Sequence, residues 1–375
     1  MSLKNTLLLA SLGATMVSCN HVQYQSLPSE PTSQESKNLE LSRSGRKEQC
    51  FQENYQCLCN NVDDAFFVLG DAQMIRETLL YLASTPLGRD IISGLSDGNI
   101  KIKSKYFMQS SIGGYYAHKD NSVNLPVRDI SPGNEISLTY TLGHELVHAY
   151  QRSQGIEVNN QGFSVKQAAL VEQLKEAHAR ACHLVMRETF SQLDVSGSEI
   201  NGSLEYFMEQ NLDRRLRRRM FADNQEHPNY RAKKEDYPFY LLQEALKKCN
   251  GNREKAEKIM VGQLIEHFMS NTEHYEVAEW RKNYVPQIVR NTSINGEEGR
   301  LTAQGNLKEL NKILDYFCQE YDVDRHRINQ LNLPKEGLKQ LDDLEKKLLK
   351  DGKLSTQKET YASISRPFVN AYNDR

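Results

Sequence analysis

Thr141-Leu142-Gly143-His144-Glu145-Leu146-Val147-His148-Ala149-Tyr150 sets two imidazoles four residues apart, with a carboxylate directly after the first. Positions i and i+4 stand above one another on one face of an α-helix, so a helical stretch here lets His144 and His148 reach one metal ion together. Glu145 then points about a quarter-turn away, close enough to take a proton from a water on that ion without being a ligand. The flanks predict the helix. Ser131-Pro132-Gly133-Asn134 is a turn cluster, Asn134 suits an N-cap and Glu135 falls in the first turn. No proline interrupts the stretch up to Gln154, and Gly155 stands where a helix stop is expected. Leu138, Leu142, Leu146 and Ala149 recur at helical spacing and predict a face docked into a core. Gly143 weakens such a helix by about 1 kcal/mol relative to alanine, so a close approach of another backbone near the metal is the expected reason for it.

The pattern is H-E-x-x-H, the signature of zinc metallopeptidases. A catalytic zinc site takes three protein ligands and keeps one position open. The third ligand is expected from a second helix spanning Ser164 to Phe190, with Leu170, Leu174, Ala177, Ala181 and Leu184 as its buried stripe. Glu172, Glu176 and His183 share a face of that helix, while His178 points elsewhere. Glu176 is the chosen ligand, because Ala177, Ala179 and Ala181 around it allow two helices to approach closely. Glu172 and His183 stay open as alternatives for the third ligand or as partners orienting a ligand imidazole. Upstream, Ile100-Lys101-Ile102 alternates like a short strand. Gly113 to His118 and Ser122 to Pro126 read as two strands joined by a turn at Lys119-Asp120-Asn121. Such a pair either offers an edge to an extended peptide or only shields the core. His118 reads as a turn or surface histidine.

Taken together, Ser84-Thr85-Pro86-Leu87-Gly88-Arg89, the Gly113–Tyr116 hairpin, His144 through Gln151, and Glu176-Ala177-His178-Ala179-Arg180-Ala181 resemble the zincin-type metallopeptidase domains of bacteria. More distantly the chain is similar to the mitochondrial inner-membrane protease that processes an ATP synthase subunit. The resemblance covers roughly a third of the chain, about residues 70 to 190, and its one highly specific motif is the zinc motif. It implies His144, His148 and Glu176 as metal ligands and Glu145 as the catalytic base. His178 stands where the family often carries an acidic residue.

The amino terminus carries Lys4 and then an apolar run from Thr6 to Val17, the length of a signal-peptide core and too short to span a bilayer. Met16-Val17-Ser18-Cys19 resembles a bacterial lipoprotein signal, although Met16 stands where leucine is usual; simple secretion is the alternative. Residues 1–19 are thus expected to be a signal peptide whose Cys19 is lipidated and attaches the protein to the membrane of the bacterial cell envelope. Residues 20–48, rich in Ser, Gln, Glu and Pro, read as a flexible linker. Beyond Cys19, six cysteines remain, and export would permit disulfides among Cys50, Cys57, Cys59, Cys182, Cys249 and Cys318. The cluster Cys50, Cys57 and Cys59 could close a small loop, or the thiols are free and buried.

A formal net charge of −2 gives no global pull towards nucleic acid. The basic run Arg214 to Arg219 reads as a solvated helix face. Roughly 325 residues come after the linker, enough for one large or two medium domains. Beyond Ser191 the pattern predicts helices at Leu204–Ala222, Pro238–Lys248, Arg253–Ser270, Glu273–Val285, Leu307–Tyr321 and Leu338–Lys350, with Pro286 as the stop of the fourth. The aromatic cluster Tyr230, Tyr237, Phe239 and Tyr240 either lines the cleft or packs under the metal helix, core packing being the commoner fate of such residues, and Trp280 is expected to be partly buried. The fold class expected is α+β and predominantly helical. It comprises a zincin-like domain at 49–295, with a small hairpin before the metal helix, and a C-terminal helical region at 296–375. The function expected is hydrolysis of peptide bonds in a peptide or protein substrate. The alternatives are a non-catalytic envelope lipoprotein that binds a partner on the same scaffold, and an amidase acting on cell-wall peptides.

Overall fold

In a computed structural model, residues 46, 49–62, 71–95, 98–106, 113–131, 135–158, 162–192, 245–270 and 275–354 are described, with side chains for all but 135–137, 187–192 and 275–283. The signal peptide, nearly all of the linker, the turn at 132–134, the Arg214–Arg219 run, the Leu204–Ala222 helix, the aromatic cluster at 230–240 and the Trp280 side chain lie outside the described residues. The chain divides into the units Met1–Lys47 and Glu48–Arg375, and the second carries the helices and strands from residue 49 onward.

That unit is predominantly helical with one small sheet, an α+β arrangement. Helical residues 49–62 (α1) bury Phe51, Tyr55, Leu58 and Val62, one face at helical spacing. Helix α2, Ala72–Ala83, is capped by Asp71, whose carboxylate accepts from the Gln73 and Met74 amides. Helix α3, Pro86–Ser93, explains the Thr-Pro-x-Gly element. Thr85 is its N-cap, accepting from the Gly88 amide at 3.0 Å, and Pro86 takes the first turn, where no N–H is needed. A Cβ on Gly88 would stand 2.0 Å from the Leu82 carbonyl oxygen, so only glycine lets α3 fold back on α2.

Three strands come next: β1 Lys101–Lys105, β2 Tyr115–Ala117 and β3 Ser122–Pro126, ordered β1-β3-β2. The expected hairpin is the antiparallel pair β2–β3, turned at Asn121 in the left-handed region (φ 50°). Strand β1 lies parallel on the far side of β3, which is therefore central and buried along its length. Strand β2 is left as an edge beside the next helix.

That helix, α4, runs Glu135–Ser153, close to the span expected. Gly155 (φ 73°) ends it with paired bonds, Ile156 N–H to the Gln151 carbonyl at 2.8 Å and Gly155 N–H to that of Arg152 at 2.9 Å. Leu138, Leu142, Leu146 and Ala149 are all buried. Gly143 differs from expectation. A Cβ there would meet the side chains of Leu82 (3.2 Å) and Met186 (3.4 Å), so room for side chains, not for another backbone, is what its small size provides.

Helix α5, Val165–Gln192, carries more than the expected stripe. Ala168, Ala169, Val171, Ala179, Cys182 and Val185 are buried as well, so it is covered all round. It is packed by α3 and α4 and by later helices, among them α6 Arg253–Ser270, α7 Tyr275–Glu297 and α8 Leu307–Tyr321. A short turn, α9 Arg325–Ile328, and α10 Lys335–Lys350 complete the unit. The connection after α7 is stitched to the start of α5, with Thr302 N–H on the Phe163 carbonyl at 2.9 Å and Asn306 N–H on Gln167 Oε1 at 2.8 Å. Leu310, Leu314, Phe317, Leu341 and Leu348 belong to the same core as α2, α4 and α5.

A further expectation is corrected. Pro286 does not end α7, which continues to Glu297. An interior proline costs about 3 kcal/mol. The turns beyond it offset this by burying Ile288 and hydrogen-bonding α5 through Gln287 and Asn291. The cysteines of the described residues are all free thiols. Cys50, Cys57 and Cys59 share one helix but face different neighbours: Cys50 the Ser93 carbonyl, Cys57 that of Gly98, and Cys59 the Tyr55 side chain. Among the described residues no helix is long and apolar enough to cross a membrane.

Candidate metal centre

The four-residue spacing on α4 brings the His144 and His148 rings edge to face, centroids 4.7 Å apart, with their Nε2 atoms 3.1 Å from each other. Helix α5 crosses α4 where Ala177, Ala179 and Ala181 are fully buried, and it delivers Glu176 to the same point. Glu176 Oε2 lies 3.5 Å from His144 Nε2, and Oε1 lies 3.6 Å from His148 Nε2. All three side chains are buried, and together they form the one group of three among the described residues that could hold a metal ion.

The other candidates on α5 are engaged elsewhere. Glu172 receives Lys175 Nζ at 3.1 Å on one oxygen and Asn291 Nδ2 at 3.1 Å on the other. His183 packs edge-on against Tyr140, centroids 3.6 Å apart, and its ring centroid is 6.0 Å from that of His144, a neighbour of the cluster rather than a member. His118 is not a plain surface residue. Its Nδ1 lies 3.3 Å from Glu157 Oε1, and burial pushes its pKa down against that carboxylate.

Glu145 is buried beside the cluster without belonging to it, and its carboxylate accepts the Tyr116 main-chain N–H of the edge strand β2. The hairpin can come this close because Gly114 has no side chain. A Cβ there would stand 2.5 Å from Thr141 Cγ2 and 3.1 Å from the Asn124 carbonyl. Burial pushes the Glu145 carboxyl above its ordinary range, although His144, His148 and the Tyr116 amide pull the other way. For His148, burial alone would lower the pKa, but the adjacent Glu176 carboxylate overrides it and raises the imidazole to about 9. Burial likewise works to raise Glu176, yet His148 and His144 hold it well below the usual carboxylate range. Within the His148–Glu176 pair each group thus favours the charged form of the other.

Further residues reach the centre only through the fold. Gln287 of α7 donates to Glu176 Oε1 at 3.0 Å, leaving Oε2 buried without a hydrogen-bond donor. Tyr284, one turn earlier, sets its ring 6.0 Å from that of His144; burial and the Glu176 charge raise its hydroxyl pKa, so it remains an O–H donor. Gln151 Oε1 is 2.9 Å from His148 Nδ1. The sequence offers one signal for it, since Gln151 stands three residues beyond His148 on the same helical face. Tyr284 and Gln287 were hidden, because both flank Pro286. Burial pushes His178 down to about 3, so it is a neutral imidazole in the folded chain. No family model matches this chain, and neither a curated protein nor a solved structure matches it.

Proposed function

We propose that the chain is a zinc metallopeptidase with a zincin-like centre, in which His144, His148 and Glu176 hold the metal and Glu145 is the general base. The observation that carries this reading is three buried donors converging on one point with a fourth, non-ligating carboxylate beside them. Donors about 2.0–2.2 Å from a tetrahedral ion would stand ~3.3–3.6 Å from one another. The two imidazole nitrogens are 3.1 Å apart, and each lies 3.5–3.6 Å from one of the two Glu176 oxygens, spacings close to that; the orphaned Glu176 Oε2 would give an ion there a buried negative partner. Two imidazoles and one carboxylate, with a position left open, favour zinc in a catalytic role.

Zinc bound there supplies a Lewis acid that polarises a peptide carbonyl and lowers the pKa of a water molecule. Glu145, with a raised pKa, accepts a proton from the attacking water and returns it to the amine as the C–N bond breaks. Tyr284 retains its proton and is the candidate donor to the oxyanion that forms on the carbonyl oxygen. Strand β2 is a sheet edge whose Tyr116 N–H faces Glu145, so an extended peptide laid along that edge would pass over the centre. From the sequence of residues 1–19 alone, we further propose that the protein is exported to the bacterial envelope, anchored through a lipidated Cys19 or secreted.

The test uses full-length purified protein and its Glu145→Gln variant. Wild type should bind about one zinc per chain, and the variant should keep that zinc. Its cleavage of envelope peptides, compared between cells making the two proteins, should fall by roughly 10²–10⁴-fold. Full zinc occupancy with an unchanged peptide pattern would refute hydrolysis and favour a scaffold that only binds a partner.

A further inference from the structure

We infer that helix α8 is part of the metal centre: Tyr321 is a positioning residue that, through His178 and Gln151, reinforces the Lys175 carbonyl in fixing which nitrogen of His148 faces the metal. The inference rests on the metal-binding function proposed for His144, His148 and Glu176 and adds a second layer to it.

Each contact in this relay can be assigned from its chemistry. The Lys175 main-chain carbonyl, which only accepts, lies 2.8 Å from Gln151 Nε2, so that atom must be the amide nitrogen. Gln151 Oε1 therefore faces His148 Nδ1 at 2.9 Å and accepts from it. Nδ1 then carries its hydrogen, and Nε2 is the nitrogen turned towards His144 and Glu176. The second amide hydrogen of Gln151 points to His178 Nδ1 at 3.1 Å, which must accept. His178 is accordingly the Nε2–H tautomer, and it donates to the Tyr321 hydroxyl at 2.8 Å. Tyr321 is hydrogen-bonded in turn to Cys182 and Tyr316.

Nothing dilutes this order. Gln151 and His178 are 0 % exposed and Tyr321 2 %, so water does not compete for any link. The His178 ring is held edge to face against Phe317, 5.1 Å away, and tilted against Tyr321, 4.9 Å away, both from α8. Helix α6 locks the far end, because a Cβ on Gly262 would stand 2.1 Å from the Tyr321 carbonyl oxygen. A core satisfying its polar groups at random would not need all donors to run in one direction. A metal-ligating imidazole does need its remote nitrogen protonated and oriented, and that is what this relay delivers.

The experiment measures zinc affinity of the full chain by competition with a chromophoric chelator, for wild type, Gln151→Leu and Tyr321→Phe. Losing a partner of this kind weakens metal binding roughly 10–100-fold. Gln151→Leu should show that loss, and Tyr321→Phe, which keeps the ring and removes only the acceptor, should show about tenfold, with metal-free circular dichroism unchanged. Selective ¹⁵N-histidine labelling of the zinc-loaded wild type should show His148 protonated at Nδ1 alone and His178 at Nε2 alone, a readout that ordinary core packing would not prescribe. If wild type binds no zinc, the metal reading falls and takes this inference with it. If wild type binds zinc and Tyr321→Phe binds as tightly, or the tautomers are reversed, only this inference is overturned. Should Tyr321→Phe fail to fold, the wild-type tautomers still decide it.

Discussion

Zinc binding should release a proton from His148, and its pH dependence tests the centre directly. In the metal-free chain burial alone would lower the His148 pKa, but the Glu176 carboxylate 3.6 Å away raises it to about 9. A metal needs the Nε2 lone pair, so below that pH the proton must leave for zinc to enter. Glu176 is held well below the ordinary carboxylate range and contributes no proton near neutrality. One proton lost per zinc makes the apparent affinity fall tenfold per pH unit, so between pH 8 and pH 6 it should weaken about 100-fold, or roughly 3 kcal/mol. The metal-free protein should respond in the opposite sense. His148 has a raised folded pKa, so its contribution to stability is complete below the unfolded value, about 6.5, and is lost as pH rises through about 9. Titration calorimetry in buffers of different ionisation enthalpy counts the protons, and chelator competition at pH 6, 7 and 8 gives the slope. Flat affinity with no proton released would mean that the His148–Glu176 contact does not exist in the metal-free protein. In the metal-free protein, Glu176→Gln should lower the His148 pKa, because it removes the charge that raises it.

Single contacts carry further expected outcomes. Tyr284→Phe should keep zinc and folding but lose turnover by about 10²-fold, the scale of one oxyanion donor, while KM for a cleaved peptide changes little; unchanged kcat would remove Tyr284 from the chemistry. Gly88→Ala should lower stability by about 1–3 kcal/mol in urea unfolding, because its Cβ must displace the Leu82 carbonyl 2.0 Å away; an unchanged midpoint would contradict the α2–α3 packing. Cys19→Ser should move the protein from the membrane to the soluble fraction, and unchanged fractionation with Met1 retained would mean that residues 1–19 are not an export signal.

The parts of this protein legible in its sequence are those whose geometry is local. Once α4 is a helix, its 3.6-residue period puts His144 and His148 on one face and Glu145 beside them, whatever packs around it. The spans of α6 and α8 and the β2–β3 hairpin were readable for the same reason, as runs of periodicity closed by turn residues. The choice among Glu172, Glu176 and His183 was not local. All three share a face of α5, and only the point where α5 crosses α4 selects Glu176 and leaves Glu172 to Lys175 and Asn291. The run of α7 through Pro286 needed the packing that offsets a missing hydrogen bond, which no residue near the proline announces. The link from His148 to Tyr321 lay furthest from view. Its contacts join residues 27 and 143 positions apart, and a hydrogen bond between such residues exists only after hydrophobic burial has brought α4, α5 and α8 together.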